Sequence, residues 1–113
     1  MLFRSQLLDS PVRDLGVQTE MLSDGVGDLY RAGRITGVHK TLDRGKTVFS
    51  FALGSAKLYE TIDGNTDFIC APVEYTNMPH MVMQNRHVVA INATTQIDLQ
   101  GQGASESDGH RHI

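Results

Sequence analysis

The sequence has no tryptophan and one cysteine, Cys70. A lone thiol excludes an internal disulfide, which fits a reducing compartment and a cytoplasmic location. Cys70 lies in the apolar run FICAP, so a buried, inert thiol is expected; a nucleophilic one would need an activating neighbour. Lys and Arg are scattered and the net charge is −3. That removes the basic face expected of a nucleic-acid-binding domain. No apolar stretch approaches the roughly 20 residues of a membrane span. The start MLFRSQLLDS has one Arg and no small-residue cleavage pattern, so it does not read as a signal peptide. The P-loop pattern is missing. His39, His80, His87, His110 and His112 lack the spaced companions of a metal site, so no metal ligands are expected.

What remains is ordinary globular composition: 113 residues, 40% apolar and 20% charged. That length fits one domain with a modest core.

The apolar patterning predicts alternating strands and helices. Residues 15–19 (LGVQT) read as a strand. Ser23 or Asp24 offers an oxygen to cap a helix over 24–32, with Val26, Leu29 and Tyr30 on one face and Gly33 as its stop. Residues 46–53 (KTVFSFAL) are β-branched and aromatic, a second strand. Gly54 turns the chain and Ser55 caps a helix carrying Leu58, Tyr59 and Ile62, which ends at Asp63-Gly64-Asn65. A third strand is expected over 67–71, and a helix start at Asn77-Met78-Pro79, with Met81 and Val82 inward. Residues 87–92 (HVVAIN) read as a fourth strand. Residues 95–102 alternate, with Ile97 and Leu99 on one face, and read as a further strand. Met78, Met81 and Met83 are expected to fill core gaps.

This order predicts an α/β fold, an open and mainly parallel sheet with flanking helices. Ligands of such sheets sit beyond the carboxyl ends of strands. The loops 20–25, 53–55 and 73–77 are therefore candidate site loops. They carry small residues, hydroxyls and carboxylates. Glu106 lies among Gly103, Ala104, Ser105 and Ser107, whose small side chains permit close approach of a substrate. A carboxylate so placed can act as a covalent nucleophile, although most exposed acids are merely solvated.

Four stretches share an order with a known family. They are DLGVQTEMLSDGV (14–26), GKTVFSFALGSAKLYETID (45–63), APVEYTNMP (71–79) and INATTQIDLQGQGASES (91–107). Together they resemble the carboxyl-terminal region of the acetyl-CoA hydrolase/transferase family, which includes butyrate:acetate and 4-hydroxybutyrate CoA-transferases. The likeness runs over residues 13–113, with 1–12 as a divergent segment. It implies a truncated CoA-transferase-like (NagB/RpiA-like) carboxyl-terminal domain. The amino-terminal α/β domain that forms the other wall of the cleft is then missing, as is a Gly-rich GxGG-type loop beyond Ile113.

The resemblance implies that the parent protein moves CoA between an acyl-CoA and a small carboxylic acid through a glutamyl-CoA thioester. CoA and acyl-CoA are then substrates, with no permanently bound cofactor. The alternatives are an acyl-CoA hydrolase and a non-catalytic fragment or pseudoenzyme domain. This chain alone is expected to be inactive, and exposed apolar surface is expected to drive association into homo-oligomers.

The resemblance also implies site residues. In many relatives the strand reads IEVDLxGQ, with its Glu as nucleophile. Gln96 stands there in TQIDLQGQ, and an amide cannot form the acyl anhydride. Either Glu106 is the nucleophile or it lines the pocket; the resemblance favours the first, because Asp98 occupies the place of a structural acid. Glu20, Ser23, Asp24 and Gly25 match a TEMxSDG loop near the site. Gly54, Lys57 and Tyr59 match a GxxKLY turn on the CoA side. Asn77 matches a D/N position, and Gln18 stands where His is frequent.

Overall fold

Residues Thr47–Leu53 (TVFSFAL) form the central strand, and its first three side chains are buried. That first half is covered on both faces, as a β-branched and aromatic run in a parallel sheet needs, whereas Phe51 and Leu53 in the second half are exposed. The computed structural model describes residues 2–108 and 110–112, with side chains from Gln6 onward. Met1, Gly109 and Ile113 lie outside the described residues, and so do the outer limits of the segments 1–12 and 13–113.

The elements in order are α1 (Leu2–Asp9), β1 (Gln18–Ser23), α2 (Asp24–Arg31), β2 (Thr47–Leu53), α3 (Ala56–Ile62), β3 (Phe68–Cys70), α4 (Val73–Asn77), α5 (Pro79–Val82), β4 (Gln96–Ile97) and β5 (Gly103–Ala104). The first three strands form a parallel sheet in the order β1-β2-β3. β4 and β5 form a separate antiparallel hairpin. The α/β class and the parallel sheet with flanking helices are as expected.

The core gathers Leu22, Phe49 and Leu58, with Val26, Ala52, Ile62 and Phe68 packed against them. Phe68 meets Tyr30 edge-on with ring centroids 4.8 Å apart. Gly33, at φ 69°, ends α2 in the left-handed conformation that the sequence predicts.

Several local expectations fail. The first strand begins at Gln18, three residues later than predicted, because Leu15 instead bridges Ile35. Residues 2–9 form a helix, anchored where Arg34 donates to the Leu8 and Val12 carbonyls. The segment 73–77 is the helix α4 rather than a loop: Pro72 sits at its N-cap position and ends the extended run.

Residues 87–92 form no strand, and His87 has φ 54°. Their β-branched side chains find no partner strand among the described residues, and β propensity without cross-strand packing decides little. Of 95–102 only Gln96–Ile97 is extended. Asp98 Oδ1 accepts from the Gln100 and Gln102 amides, folding the chain back through Gly101 at φ 87°. Cys70 is exposed and donates to the Ser50 carbonyl, so the buried thiol is not found; β3 is an edge strand. Met78 and Met83 are exposed, and only Met81 is half-buried.

Val88, Val89, Ile91, Ile97 and Leu99 all stand at the surface, Leu99 fully so at 107%. Such apolar surface favours association. Light scattering on the 113-residue chain is expected to give a mass that rises with concentration. A constant monomer mass would contradict this.

Candidate functional site at the carboxyl edge of the sheet

The chain leaves all three strands of the parallel sheet at one edge, and the segments that follow bring polar residues against one another and back against β1 and β2. At the end of β1 the Asp24 carboxylate reaches across to the turn after β2. It accepts from the Ser55 amide at 3.1 Å through each oxygen, and from Ser55 Oγ at 2.7 Å. This replaces the capping expected from the sequence. Ser23 and Ser55 occupy the N-cap positions of α2 and α3, but neither side chain caps its own helix.

Gly54 makes the approach possible. A Cβ there would lie 2.9 Å from Asp24 Oδ1 and 2.7 Å from Leu58 Cδ2. Gly54→Ala is therefore expected to push Asp24 off Ser55 and destabilise the fold by about 1–3 kcal/mol. Urea denaturation checks this; a variant as stable as the parent would show that the turn adapts freely.

A second contact joins β1 to α4. Thr19 pairs with Phe49 and Met21 with Phe51, so Glu20 and Ser50 come side by side between them. Asn77 Nδ2 donates to Glu20 Oε2 at 2.6 Å. Behind it the buried Thr76 hydroxyl donates to Asn77 Oδ1 at 2.9 Å and lies 2.7 Å from Ser50 Oγ. Gln18 holds α4 from beneath, donating to the Thr76 carbonyl at 3.0 Å and the Tyr75 carbonyl at 3.4 Å. Asn85 in turn donates to Gln18 Oε1, while its own oxygen accepts from the Thr41 and Leu42 amides. Tyr75 fastens the other side of α4 to Asp43, and that hydrogen bond pushes its phenol pKa up.

The remaining predicted residues divide into two groups. Ser23, Gly25, Lys57 and Tyr59 lie by the same strand ends. Lys57 is exposed in the first turn of α3, and the Tyr59 hydroxyl donates to the Ala52 carbonyl at 3.3 Å. Gln96 and Glu106 belong instead to the terminal hairpin and its flank. Both are exposed. Among the described residues, the hydrogen bonds of 93–105 stay within that hairpin, and the Glu106 carboxylate makes none. The structure thus brings Glu20 and Asn77 together, and Asp24 with Gly54, but leaves Gln96 and Glu106 apart from these pairs.

Ser50 was missed as a site residue, while Ser55 and Thr76 lay in the candidate loops 53–55 and 73–77 without being singled out. Ser50 had a signal: it is the one polar side chain inside the run VFSFAL. For Thr76 the loop was the only signal, since its importance comes from burial.

The site combines a carboxylate with one oxygen held by an amide, a second carboxylate fully engaged with a turn, and an exposed lysine. Such a set suits covalent chemistry at a carboxylate better than metal binding. The sequence profile described as the acetyl-CoA hydrolase/transferase C-terminal domain matches residues 54–113. This chain belongs to that family.

Acetyl-CoA hydrolase/transferase relatives agree with it over most of its length. A succinyl-CoA:cyclohexane-1-carboxylate CoA transferase from Geobacter metallireducens is 48% identical over 98 residues, covering 87% of this chain and 22% of the relative. A probable butyrate:acetyl-CoA coenzyme A-transferase from Syntrophomonas wolfei is 46% identical over 109 residues, covering 96% and 24%. The crystal structure of RipA from Yersinia pestis superposes with a TM-score of 0.85 at 47% identity, covering 93% of this chain and 24% of that one. The chain spans about a quarter of the length of the curated relatives it matches.

Proposed function

We propose that the parent protein is a CoA-transferase moving CoA between an acyl-CoA and a small carboxylic acid, and that Glu20 is its nucleophile. The observation that carries this reading is the Glu20–Asn77 contact of 2.6 Å, made in the middle of β1 at the level where β3 has ended and the chain enters α4. It holds one carboxylate oxygen and leaves Oε1 without a hydrogen bond among the described residues. Ligands of such sheets bind beyond the carboxyl ends of strands, and β3 has ended at this level. Asp24, just past the end of β1, is engaged on both oxygens by Ser55.

The proposed chemistry balances at each step. Glu20 Oε1 attacks the thioester carbonyl, the C–S bond breaks, and CoA leaves as a thiolate with an acyl–glutamyl anhydride behind it. The thiolate attacks the glutamyl carbonyl and expels the acyl group as a free carboxylate, giving a glutamyl-CoA thioester. An acceptor carboxylate attacks that thioester, and the same steps in reverse release the new acyl-CoA and the Glu20 carboxylate. Covalent catalysis of this kind divides one difficult transfer into easier ones. Each tetrahedral stage needs hydrogen-bond donors at its oxyanion.

Glu106 is the competing nucleophile, favoured by the sequence resemblance and by its small neighbours. Ser23, Asp24, Gly25, Gly54, Lys57 and Tyr59 are assigned to the CoA-facing wall, with Lys57 as a cation for the phosphates. Residues 13–113 are then part of a carboxyl-terminal domain whose cleft is closed by an amino-terminal domain of the parent. Acetate, butyrate, 4-hydroxybutyrate and succinate are the acids to test.

The test is an acyl-CoA exchange assay on the full-length parent with that panel of acids. Acid-dependent formation of a new acyl-CoA is expected. CoA release that needs no added acid would indicate a hydrolase and defeat the transferase reading.

A further inference from the structure

One buried side chain decides how Asn77 presents itself to Glu20. A carboxylate can only accept hydrogen bonds, whereas the Asn amide has a donating and an accepting end. At 2.6 Å from Glu20 Oε2, Asn77 must therefore turn its NH2 group toward the acid. Its oxygen then faces Thr76 Oγ1 at 2.9 Å and accepts from it. Thr76 Oγ1 also lies 3.3 Å from the Val73 carbonyl, a longer contact than the one to Asn77; with its single proton given to Asn77, the 2.7 Å contact with Ser50 is donated by Ser50. The result is a one-directional chain, Ser50 to Thr76 to Asn77 to Glu20. Thr76 is 3% exposed, so water does not substitute for its hydroxyl.

We infer that Thr76 is a positioning residue for CoA transfer: its hydroxyl anchors the oxygen end of the Asn77 amide and so the aim of the Glu20 carboxylate. This rests on Glu20 being the nucleophile. Without the Thr76 donor the oxygen end of the amide is unanchored. The Asn77 side chain can then swing away from Glu20 Oε2, and the carboxylate loses its hold. Gln18 adds a mechanical hold on the same helix by binding the Tyr75 and Thr76 carbonyls.

The test is a set of variants in the full-length parent, read as kcat and KM for acyl-CoA exchange. Thr76→Val keeps the shape and removes the hydroxyl. It is expected to lower kcat by about tenfold, the equivalent of one hydrogen bond, with KM changed by less than about twofold. Thr76→Ser is expected to keep most of the rate. In an Asn77→Ala background, Thr76→Val is expected to cause no further loss, because Thr76 acts only through Asn77.

Losses that multiply in the double variant, or a Thr76→Ser enzyme as slow as Thr76→Val, would overturn the inference. Should Thr76→Val fail to fold by circular dichroism, Ser50→Ala replaces it. That variant removes only the donor behind Thr76, and it too must lose rate with Asn77 present and lose nothing with Asn77→Ala. Glu20→Gln separates the two ideas. An active Glu20→Gln enzyme defeats the nucleophile assignment; an inactive one beside a Thr76→Val enzyme of unchanged rate defeats only the positioning role.

Discussion

Glu20→Gln in the full-length parent is expected to lower acyl-CoA:acetate exchange by on the order of 10⁴-fold or more, as loss of a covalent nucleophile does. The substitution keeps size and shape but removes the oxygen proposed to form the anhydride. It should also abolish the covalent intermediate. Borohydride reduces a glutamyl-CoA thioester, so the unaltered enzyme should lose activity to borohydride only after exposure to acyl-CoA. The Glu20→Gln enzyme should take up no CoA label under the same treatment. Glu106→Ala is the matched control. Its exposed carboxylate has no hydrogen bond among the described residues, so exchange should persist within about tenfold. The reverse pattern, an inactive Glu106→Ala and an active Glu20→Gln, would return the nucleophile to the hairpin.

Leu58→Ala is expected to cost about 3 kcal/mol of folding stability, within the range for truncating a fully buried leucine. Leu58 is 0% exposed and packs in one cluster with Leu22 and Phe49. It also supports the site, because its Cδ2 stands 2.7 Å from the place a Gly54 Cβ would occupy. The cavity should therefore loosen the turn that Asp24 and Ser55 share. Chemical denaturation should show an earlier midpoint with an unchanged slope. A midpoint like that of the parent would mean the core closes around the gap.

The legibility of this chain follows from how local each signal is. The strand Thr47–Leu53 and the helix Ala56–Ile62 fall within one residue of expectation. Their apolar periodicity and glycine punctuation are written in a few adjacent residues. The helix over Asp24–Arg31 was equally plain. The failures cluster where an outcome depends on a distant partner. HVVAIN has strand composition but no strand beside it among the described residues. Residues 73–77 look like a loop until Pro72 is seen to end β3 and start a helix. Cys70 looks buried by its neighbours, yet it lies on the edge of the sheet, where one side is open.

The candidate site divides in the same way. Glu20, Asp24, Gly54 and Asn77 could be named from their motifs, but nothing in the sequence pairs Glu20 with Asn77, 57 positions away. Asp24 was read as a possible cap for its own helix, and instead it holds the Ser55 turn 31 residues on. Glu106 drew attention through small neighbours, and its carboxylate is exposed with no hydrogen bond among the described residues. By itself the sequence determined the α/β class, the family and the acids available for chemistry, because periodicity and motif order are properties of neighbouring residues. The tertiary structure decided which acids are held, and by what. That choice depends on the register of two parallel strands and the burial of one threonine, and both arise only when distant segments pack.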